Sequence, residues 1–348
     1  MTEADAPTPA VPPEFRQFIV TDDFDRYGLR PGEPEPSPRY LQVELTDLCN
    51  LSCAGCVRAV HESTGSQLDL NTFTALLDQL PELQHVSFVG AGEALIVREF
   101  PAFVEACTRR GVFTSTNTNG LLVRRRLEPA LDAGLGLIAI SVDGADDTTL
   151  GLMRSGLRTT QLSAALRTAV SLVEGRKARL SAAVTLSATN VHGFADIVSF
   201  VADHGVREMT VESLHHWGDD KRLNSASLFA LDPAEATAHL EEGLARASEL
   251  GMRVSIFDYT RLQNPDARNA VCPWPWDACY ITKDGDVTPC CVNMEAAPAN
   301  LLGNIIQTPM QQIWRGEPFE ALRRSFFDGP IWSSCSDCVY RMEFGRVL

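Results

Sequence analysis

The sequence predicts an α/β fold in which a parallel sheet is followed by a small cysteine-rich domain. Two observations carry this prediction. Between residues 40 and 259, short β-rich runs alternate with amphipathic helical runs at intervals of 20 to 45 residues. After VSIFDY (254–259) the alternation stops, and Cys, Pro, Trp and Gly become frequent. Strand–helix units that repeat in this way are typical of a parallel sheet covered by helices.

The elements can be marked in order along the chain. The predicted strands are YLQVEL (40–45), HVSFVG (85–90), FTSTNTNG (113–120), LIAISVDG (137–144), RLSAAVTLS (179–187) and REMTVESLHH (207–216). The helical runs between them include LNTFTALLDQL (70–80), REFPAFVEACTRRG (98–111), TTQLSAALRTAVSLVEG (159–175), HGFADIVSFVADHG (192–205) and DPAEATAHLEEGLARASELG (232–251). Six units predict an open six-stranded barrel or a doubly wound sheet, and in both the carboxyl ends of the strands carry the chemistry.

Composition and charge exclude several functions. The net charge of −15 disfavours nucleic-acid binding, which needs a clustered basic surface. The short run Arg124–Arg126 opens a predicted helix and is interpreted as a solvated helix end. No apolar run approaches the roughly 20 residues that span a bilayer, and the acidic, Pro-rich N-terminus lacks the features of a secretory signal. We therefore expect a cytoplasmic protein, in which ten cysteines favour metal binding or catalysis over disulfides.

The chain divides into three segments by composition. We expect an N-terminal extension that is partly ordered at most, a strand–helix domain and a cysteine-rich domain, over residues 1–38, 39–262 and 263–348. The last contains ITKDGDVTPCC, which predicts a hairpin with Asp284 and Gly285 in its turn. A short helix, MQQIWRGEPFEALRRSF (310–326), follows. Because this segment is small and poor in regular structure, a metal centre is expected to help hold it together.

Three cysteines follow the first predicted strand directly. The stretch TDLCNLSCAGC contains Cys49, Cys53 and Cys56, and therefore lies at the rim where such a sheet has its active site. Three thiolates can hold a four-iron cluster and leave one iron without a protein ligand. An open coordination position is typical of a reactive metal site, whereas structural sites are closed. A zinc site with a distant fourth ligand, or a group of buried thiols, remains the alternative on spacing alone.

The spacing C-x3-C-x2-C after a first strand resembles the signature of the radical S-adenosylmethionine (SAM) enzymes. The following GAGEAL is similar to the Gly-Gly-Glu-like motif of that family, since Gly92 and Glu93 match while Ala91 departs. Over residues 40–260 the resemblance implies a partial (β/α)6 TIM barrel. In it the three cysteines hold a [4Fe–4S] cluster, and SAM binds the fourth iron. Reductive cleavage of SAM would give a 5′-deoxyadenosyl radical that abstracts a hydrogen atom.

The same resemblance implies SAM contacts at later strand ends. The motif TNTNG contributes Asn119, and the motifs SVDGAD and MRSG contribute Ser141, Asp143 and Arg154. Many members of the family have an aromatic residue just before the third cysteine. Here Gly55 occupies that place, so the adenine contacts are expected to come from elsewhere.

A second set of cysteines lies in the C-terminal segment. Cys272 and Cys290 flank the predicted hairpin, and Cys335 and Cys338 form a CxxC after the helix. These four could hold zinc. The spacing C-x17-C-x44-C-x2-C resembles the twitch version of the SPASM extension of radical SAM enzymes. It is similar to that of the aminocyclitol and sugar dehydrogenases and epimerases of antibiotic biosynthesis. The resemblance implies an auxiliary [4Fe–4S] cluster, and hence two clusters in the chain.

Three cysteines belong to neither set. Cys107 lies in a helical run and is interpreted as a small core residue. Cys279 and Cys291 are candidate hydrogen donors, because radical SAM epimerases return a hydrogen atom to the substrate from a cysteine. Strand alternation directs Cys279 to the same side as Ile281 and away from Tyr280. A packed, inert thiol remains open for both candidates.

The substrate is expected at the ends of the late strands. Polar side chains there suit the hydroxyl groups of a carbohydrate, namely Glu212, His215, His216 and Asp258. The resulting hypothesis is hydrogen abstraction from a carbinol carbon of a sugar or cyclitol, followed by epimerisation. A flavodoxin- or ferredoxin-type protein is expected to deliver electrons. The alternatives are oxidation to a ketone, modification of a peptide, or a non-catalytic zinc-ribbon or iron–sulfur binding module.

Overall fold

The computed structural model describes most of the chain. It covers residues 36–53, 55–59, 63–214, 226–256, 272, 274–294, 296–335 and 346–347. The described strands are β1 Tyr40–Val43, β2 His85–Phe88, β3 Phe113–Thr118, β4 Leu137–Ser141, β5 Arg179–Leu186, β6 Glu208–Ser213, β7 Arg253–Ile256, β8 Ala278–Ile281, β9 Asp286–Thr288, β10 Gly303–Asn304 and β11 Arg346–Val347. The described α-helices are α1 Leu70–Asp78, α2 Phe100–Thr108, α3 Val123–Asp132, α4 Asp147–Met153, α5 Thr159–Val173, α6 Phe194–Asp203, α7 Pro233–Glu249, α8 Trp274–Asp277, α9 Met310–Trp314 and α10 Glu317–Arg324.

The strands form one mixed sheet in the order β10-β9-β8-β1-β2-β3-β4-β5-β6-β7-β11. Strands β1 to β7 pair in parallel with their neighbours in the sequence, as helical crossover connections allow. The expected α/β fold with a barrel-like parallel sheet is therefore confirmed. The strand–helix region contributes one parallel strand more than the six predicted, because its end, Arg253–Ile256, also pairs with β6.

The C-terminal segment adds directly to the free edge of β1. Strand β8 pairs with β1 in parallel, with Leu41 opposite Cys279 and Gln42 opposite Tyr280. Strand β9 then returns antiparallel to β8, and Gly285 in the turn has a positive φ of 81°. This is the predicted hairpin, and it covers a sheet edge that would otherwise expose unpaired backbone groups.

The two faces of the sheet differ in chemistry at β1. Leu41 and Val43 are fully buried in the main core with aromatic side chains such as Phe73. Gln42 and Glu44 point to the opposite face, where they are buried but polar. Since side chains alternate along a strand, the apolar face packs on the helices and the polar face lines the interior of the partial barrel.

Helix starts follow local capping chemistry. Asp69 accepts a hydrogen bond from the Thr72 amide at 2.8 Å at the start of α1, and Asp232 accepts one from the Ala234 amide at 3.0 Å at the start of α7. Short polar side chains at these positions satisfy amides that have no partner inside the helix. In the described part of the chain no helix combines the length and the apolar character needed to cross a membrane.

The predicted helix over 310–326 is two helices. It breaks after Trp314, and α10 begins with Gly316 as its N-cap and Pro318 in its first turn. A Cβ on Gly316 would lie 2.8 Å from the Gln312 carbonyl oxygen, so this sharp break requires glycine. The buried Arg323 ties the two helices to α8, because it donates to the carbonyls of Trp314 and Pro275 at 2.9 and 2.7 Å.

Candidate active site

One cavity of about 220 Å³ lies at the carboxyl ends of the parallel strands. The predicted site residues meet there, although they come from the ends of five different strands. Its lining includes ten of the predicted residues, namely Cys49, Cys53, Cys56, Gly92, Glu93, Asn119, Ser141, Asp143, Arg154 and Glu212. The structure therefore brings the three-cysteine loop, the predicted SAM contacts and one predicted substrate contact to a single site.

The three-cysteine loop follows β1 and lines this cavity. The Cys56 amide donates to the Cys53 carbonyl at 3.2 Å, and the Arg58 guanidinium donates to the Leu51 carbonyl at 2.8 Å. Burial raises the pKa of Cys49 and Cys53, while the Arg154 charge acts in the opposite direction on Cys53. Three half-buried thiols that open onto one cavity fit a cluster bound by three cysteines, since binding of iron keeps such thiols deprotonated.

The GAGE loop, residues 90–93, lies against the three-cysteine loop through close backbone contact. The Glu93 amide donates to the Leu48 carbonyl at 2.8 Å. A Cβ on Gly92 would lie 2.1 Å from the Thr46 carbonyl oxygen and 2.7 Å from that of Leu48. Only glycine allows the two backbones to approach in this way, which gives a physical reason for the glycine of the motif.

Glu93 is buried and is held by three hydrogen bonds. Its carboxylate accepts from the Thr118 hydroxyl and the Asn119 amide, both at 2.9 Å, and from the Leu95 amide at 3.1 Å. Burial raises the pKa of Glu93, whereas these donors and the Arg154 charge oppose that shift. The contacts fix Glu93 at the base of the cavity and join the second and third strand ends.

Asn119 and Asp143 extend this network across the site. The Asn119 side-chain amide donates to Asn50 at 2.7 Å and lies 3.8 Å from the Cys49 sulfur. The Asp143 carboxylate forms an ion pair with Arg154 and also accepts from the Thr185 amide at 2.8 Å. Burial lowers the pKa of Arg154, but the charge and hydrogen bond of Asp143, together with the charges of Cys53 and Cys56, outweigh this and raise it. Arg154 therefore presents a fixed positive charge where a carboxylate ligand could bind.

Two residues that the sequence patterns did not single out connect the C-terminal segment to this site. The Glu44 carboxylate accepts from the Ala91 amide at 2.9 Å and from the Tyr280 hydroxyl at 3.0 Å. Burial raises the pKa of Glu44, and a Cβ on Gly90 would lie 2.8 Å from the Tyr280 oxygen. Tyr280 thus stands directly behind the GAGE loop. Their partnership joins positions 236 residues apart, so only the pairing of β8 with β1 reveals it.

Replacing Glu44 with Gln is expected to weaken SAM binding about tenfold. The new amide group would present N–H donors to the Ala91 amide or the Tyr280 hydroxyl, and an unsatisfied buried donor costs roughly 1–3 kcal/mol. Tyr280→Phe, which removes one donor and leaves the Ala91 contact, should have a smaller effect. Equilibrium dialysis with labelled SAM on the reconstituted enzyme measures both. Equal affinity in wild type and E44Q would show that this contact does not hold the loop.

The structure describes three of the four cysteines in the second predicted set. Cys272 packs with Tyr40 and Trp274, and the partly buried Cys290 lies against the same small cluster. Burial, followed by the charge of Cys335, raises the pKa of Cys290 to about 12. Cys272 and Cys290 therefore share one cluster beside β8, and Cys335 is close enough for its charge to act on Cys290, as the auxiliary-cluster prediction requires. Cys338 lies outside the described residues, so its share in that set stays a prediction.

The two candidate hydrogen donors face different sides of the sheet. Cys279 is fully buried in the core on the helix side, together with Ile281 and Leu41. That face cannot reach the cavity, so the prediction of Cys279 as a donor is corrected. Cys291 instead packs against the cluster of Tyr40 and Trp274 on the interior face, although it does not itself line the cavity. Its charge adds to burial in raising the pKa of Tyr40.

Of the remaining predicted positions, the structure describes Cys107 and Glu212. Cys107 is fully buried in the main core, as its interpretation as a packing residue implies. Glu212 lines the cavity from the end of β6 beside Leu214. His215, His216 and Asp258 lie outside the described residues, and their predicted contact with substrate stays a prediction.

Comparisons with known proteins agree with this geometry. Residues 43–200 match the Radical SAM superfamily, and residues 272–339 match SPASM, an iron–sulfur cluster-binding domain. The chain is 26% identical over 314 residues to PqqA peptide cyclase of Gluconobacter oxydans, covering 88% of this chain and 83% of that protein. It is 22% identical over 323 residues to the tungsten-containing aldehyde ferredoxin oxidoreductase cofactor-modifying protein of Pyrococcus furiosus, covering 87% and 88%.

A solved structure shares the fold. Streptococcus suis SuiB bound to precursor peptide SuiA superposes with a TM-score of 0.67 at 16% identity, covering 89% of this chain and 72% of that one. The two matched domains imply a [4Fe–4S] cluster with SAM in the barrel and further iron–sulfur chemistry in the C-terminal domain. The thiol-lined cavity and the second group of sulfurs fit both. The chain is therefore a radical SAM enzyme that carries a C-terminal SPASM domain.

Proposed function

We propose that this enzyme removes a hydrogen atom from a carbinol carbon of a sugar or cyclitol, and that Cys291 returns a hydrogen atom to the opposite face. The observation that supports this is that Cys291 packs against the cluster of Tyr40 and Trp274 on the interior side of the sheet. Cys279, the other candidate, is on the helix side. The product would be an epimer of the substrate.

Some residues of the cavity would bind the cofactor, and one would bind the substrate. When bound, the cluster and SAM supply a 5′-deoxyadenosyl radical by reductive cleavage. Arg154, held by Asp143, would pair with the carboxylate of SAM, and the fixed Glu93 would accept from its amino group. Glu212, which lines the same cavity, would accept a hydrogen bond from a substrate hydroxyl.

The proposed reaction balances in atoms and electrons. The substrate C–H bond breaks and its hydrogen atom leaves in 5′-deoxyadenosine. The S–H bond of Cys291 then breaks, and the inverted C–H bond forms. The resulting thiyl radical takes one electron and one proton to restore the thiol. A flavodoxin- or ferredoxin-type protein would supply this electron as well as the one that cleaves SAM.

Deuterated water gives the direct test. The reconstituted enzyme would be screened with aminocyclitols and aminosugars for 5′-deoxyadenosine formation above the rate without substrate. With a responding substrate, the expected product is inverted at one carbon and carries one solvent deuterium there. Cys291→Ala should still form 5′-deoxyadenosine but give no epimer, while Cys279→Ala, as matched control, should give both. Inversion by C291A, or a ketone product from the wild type, would overturn the proposal.

A second candidate is modification of a peptide substrate. It is favoured by the matches over most of the chain to PqqA peptide cyclases of several bacteria, at 24 to 26% identity and 88% coverage. Peptide arrays in the same 5′-deoxyadenosine assay would address it. A peptide that loses two hydrogen atoms for each 5′-deoxyadenosine formed, in the absence of any response to sugars or cyclitols, would favour this candidate over the first.

A further inference from the structure

A group of three metal-ligating side chains lies outside the SAM cavity. His192 comes from the 3-10 helix Val191–Gly193 that precedes α6, while Glu235 and His239 come from α7. One ligand atom from each of the three lies within 4.8 Å of the other two. None of these residues lines the SAM cavity. We propose that this group is a separate site for a divalent first-row transition metal of the zinc class.

The two imidazoles already have the spacing that a shared ion requires. His192 Nδ1 lies 2.9 Å from His239 Nε2, and the two rings are perpendicular with centroids 4.6 Å apart. Two nitrogen ligands of a tetrahedral zinc ion, each about 2.0–2.1 Å from the metal, are separated by roughly 3.3 Å. A small rotation of either ring would therefore make room for a metal ion in place of the proton that the two nitrogens share.

The third ligand is held by helix geometry. Glu235 and His239 are four residues apart on α7, so their side chains lie on the same face. Glu235 is also in the first turn of this helix, whose amide groups favour a carboxylate there. The helix thus presents a carboxylate and an imidazole toward His192 without any loop rearrangement.

A carboxylate lies near the other nitrogen of the central imidazole. His239 Nδ1 faces the Glu242 carboxylate at 3.8 Å, and Nε2 is the nitrogen directed at His192. Metal-bound histidines typically place a carboxylate on the ring nitrogen that does not bind the metal, which fixes the tautomer. Two imidazoles with one carboxylate suit zinc, nickel or copper, and waters would complete the coordination.

The site should bind one zinc ion per chain in the presence of intact clusters. Reconstituted enzyme would be dialysed anaerobically against micromolar Zn²⁺, and zinc and iron would be measured together. The wild type is expected to bind one more zinc than His192→Ala and His239→Ala, at unchanged iron. Glu235→Gln should weaken binding at least about tenfold, since it removes the negative charge of one of the three ligands. His204→Gln, on the other end of α6, should bind like the wild type.

Zinc-edge absorption spectroscopy gives a second readout that does not depend on variants. Nitrogen and oxygen neighbours with imidazole scattering are expected for the bound ion. Sulfur neighbours would show that zinc sits at the cysteines instead and would overturn the proposal. Equal zinc content in the wild type, H192A and H239A would also overturn it and leave the pair as a hydrogen bond between imidazoles. Far-ultraviolet circular dichroism establishes that each variant is folded, and E235Q serves if either alanine variant is not.

Discussion

Cys53→Ala is expected to abolish cleavage of SAM and to remove about four irons per chain. Cys53 is one of three thiols that line the cavity, and no other cysteine among the described lining residues can take its place. Loss of an outer partner of a metal site typically costs roughly 10–100-fold in affinity or activity, and loss of a direct ligand should exceed this. Formation of 5′-deoxyadenosine and iron content, measured on the same anaerobic sample, check the prediction.

Cys107→Ala is the matched control for this experiment. Cys107 is fully buried in α2 within the main core and does not line the cavity. Its replacement should lower thermal stability slightly through lost packing, while iron content and SAM cleavage stay at wild-type levels. If C53A kept wild-type cleavage of SAM, the three-cysteine loop would not be the cluster site.

Gly92→Ala is expected to reduce SAM cleavage by about 10–100-fold. The added Cβ would lie 2.1 Å from the Thr46 carbonyl oxygen, and backbone atoms cannot move aside as a flexible side chain would. Overpacking of this kind costs roughly 1–3 kcal/mol, and each 1.4 kcal/mol is a factor of ten. The strain would displace the GAGE loop and with it Glu93, so the affinity for SAM should fall while the iron content is kept.

Gly151→Ala controls for the effect of adding a methyl group. Gly151 lies inside α4, where the atom nearest to an added Cβ would be 3.9 Å away. Alanine there should stabilise the helix by about 0.5–1 kcal/mol and leave SAM cleavage unchanged. If G92A and G151A cleaved SAM equally well, the close backbone approach at Gly92 would not be needed for SAM cleavage.

The parts of the site that depend on short spacing could be predicted from the sequence. Cys49, Cys53 and Cys56 lie within one stretch of eight residues that follows the first strand, and the GAGE motif follows the next strand. Parallel strands bring their carboxyl ends to one edge, so these motifs had to meet once the strand–helix alternation was recognised. The strand ends that carry Ser141 and Glu212 reach the same cavity for this reason.

Contacts between distant segments could not be predicted in this way. Alternation correctly separates Cys279 from Tyr280, but it does not say which face of β8 is the interior. That depends on the pairing of β8 with β1, which no local pattern encodes. The same holds for the hydrogen bond between Glu44 and Tyr280. His192 and His239 likewise meet only because α6 packs against α7.

The central claim is that the chain performs radical SAM chemistry at the three-cysteine cavity. The most direct test is anaerobic reconstitution of the wild type with iron and sulfide, followed by addition of SAM and a strong one-electron reductant. We expect roughly eight irons per chain, in keeping with two four-iron clusters, broad absorbance near about 400 nm, and methionine and 5′-deoxyadenosine in equal amounts. Cysteines filled with zinc in a protein that leaves SAM intact would contradict the account.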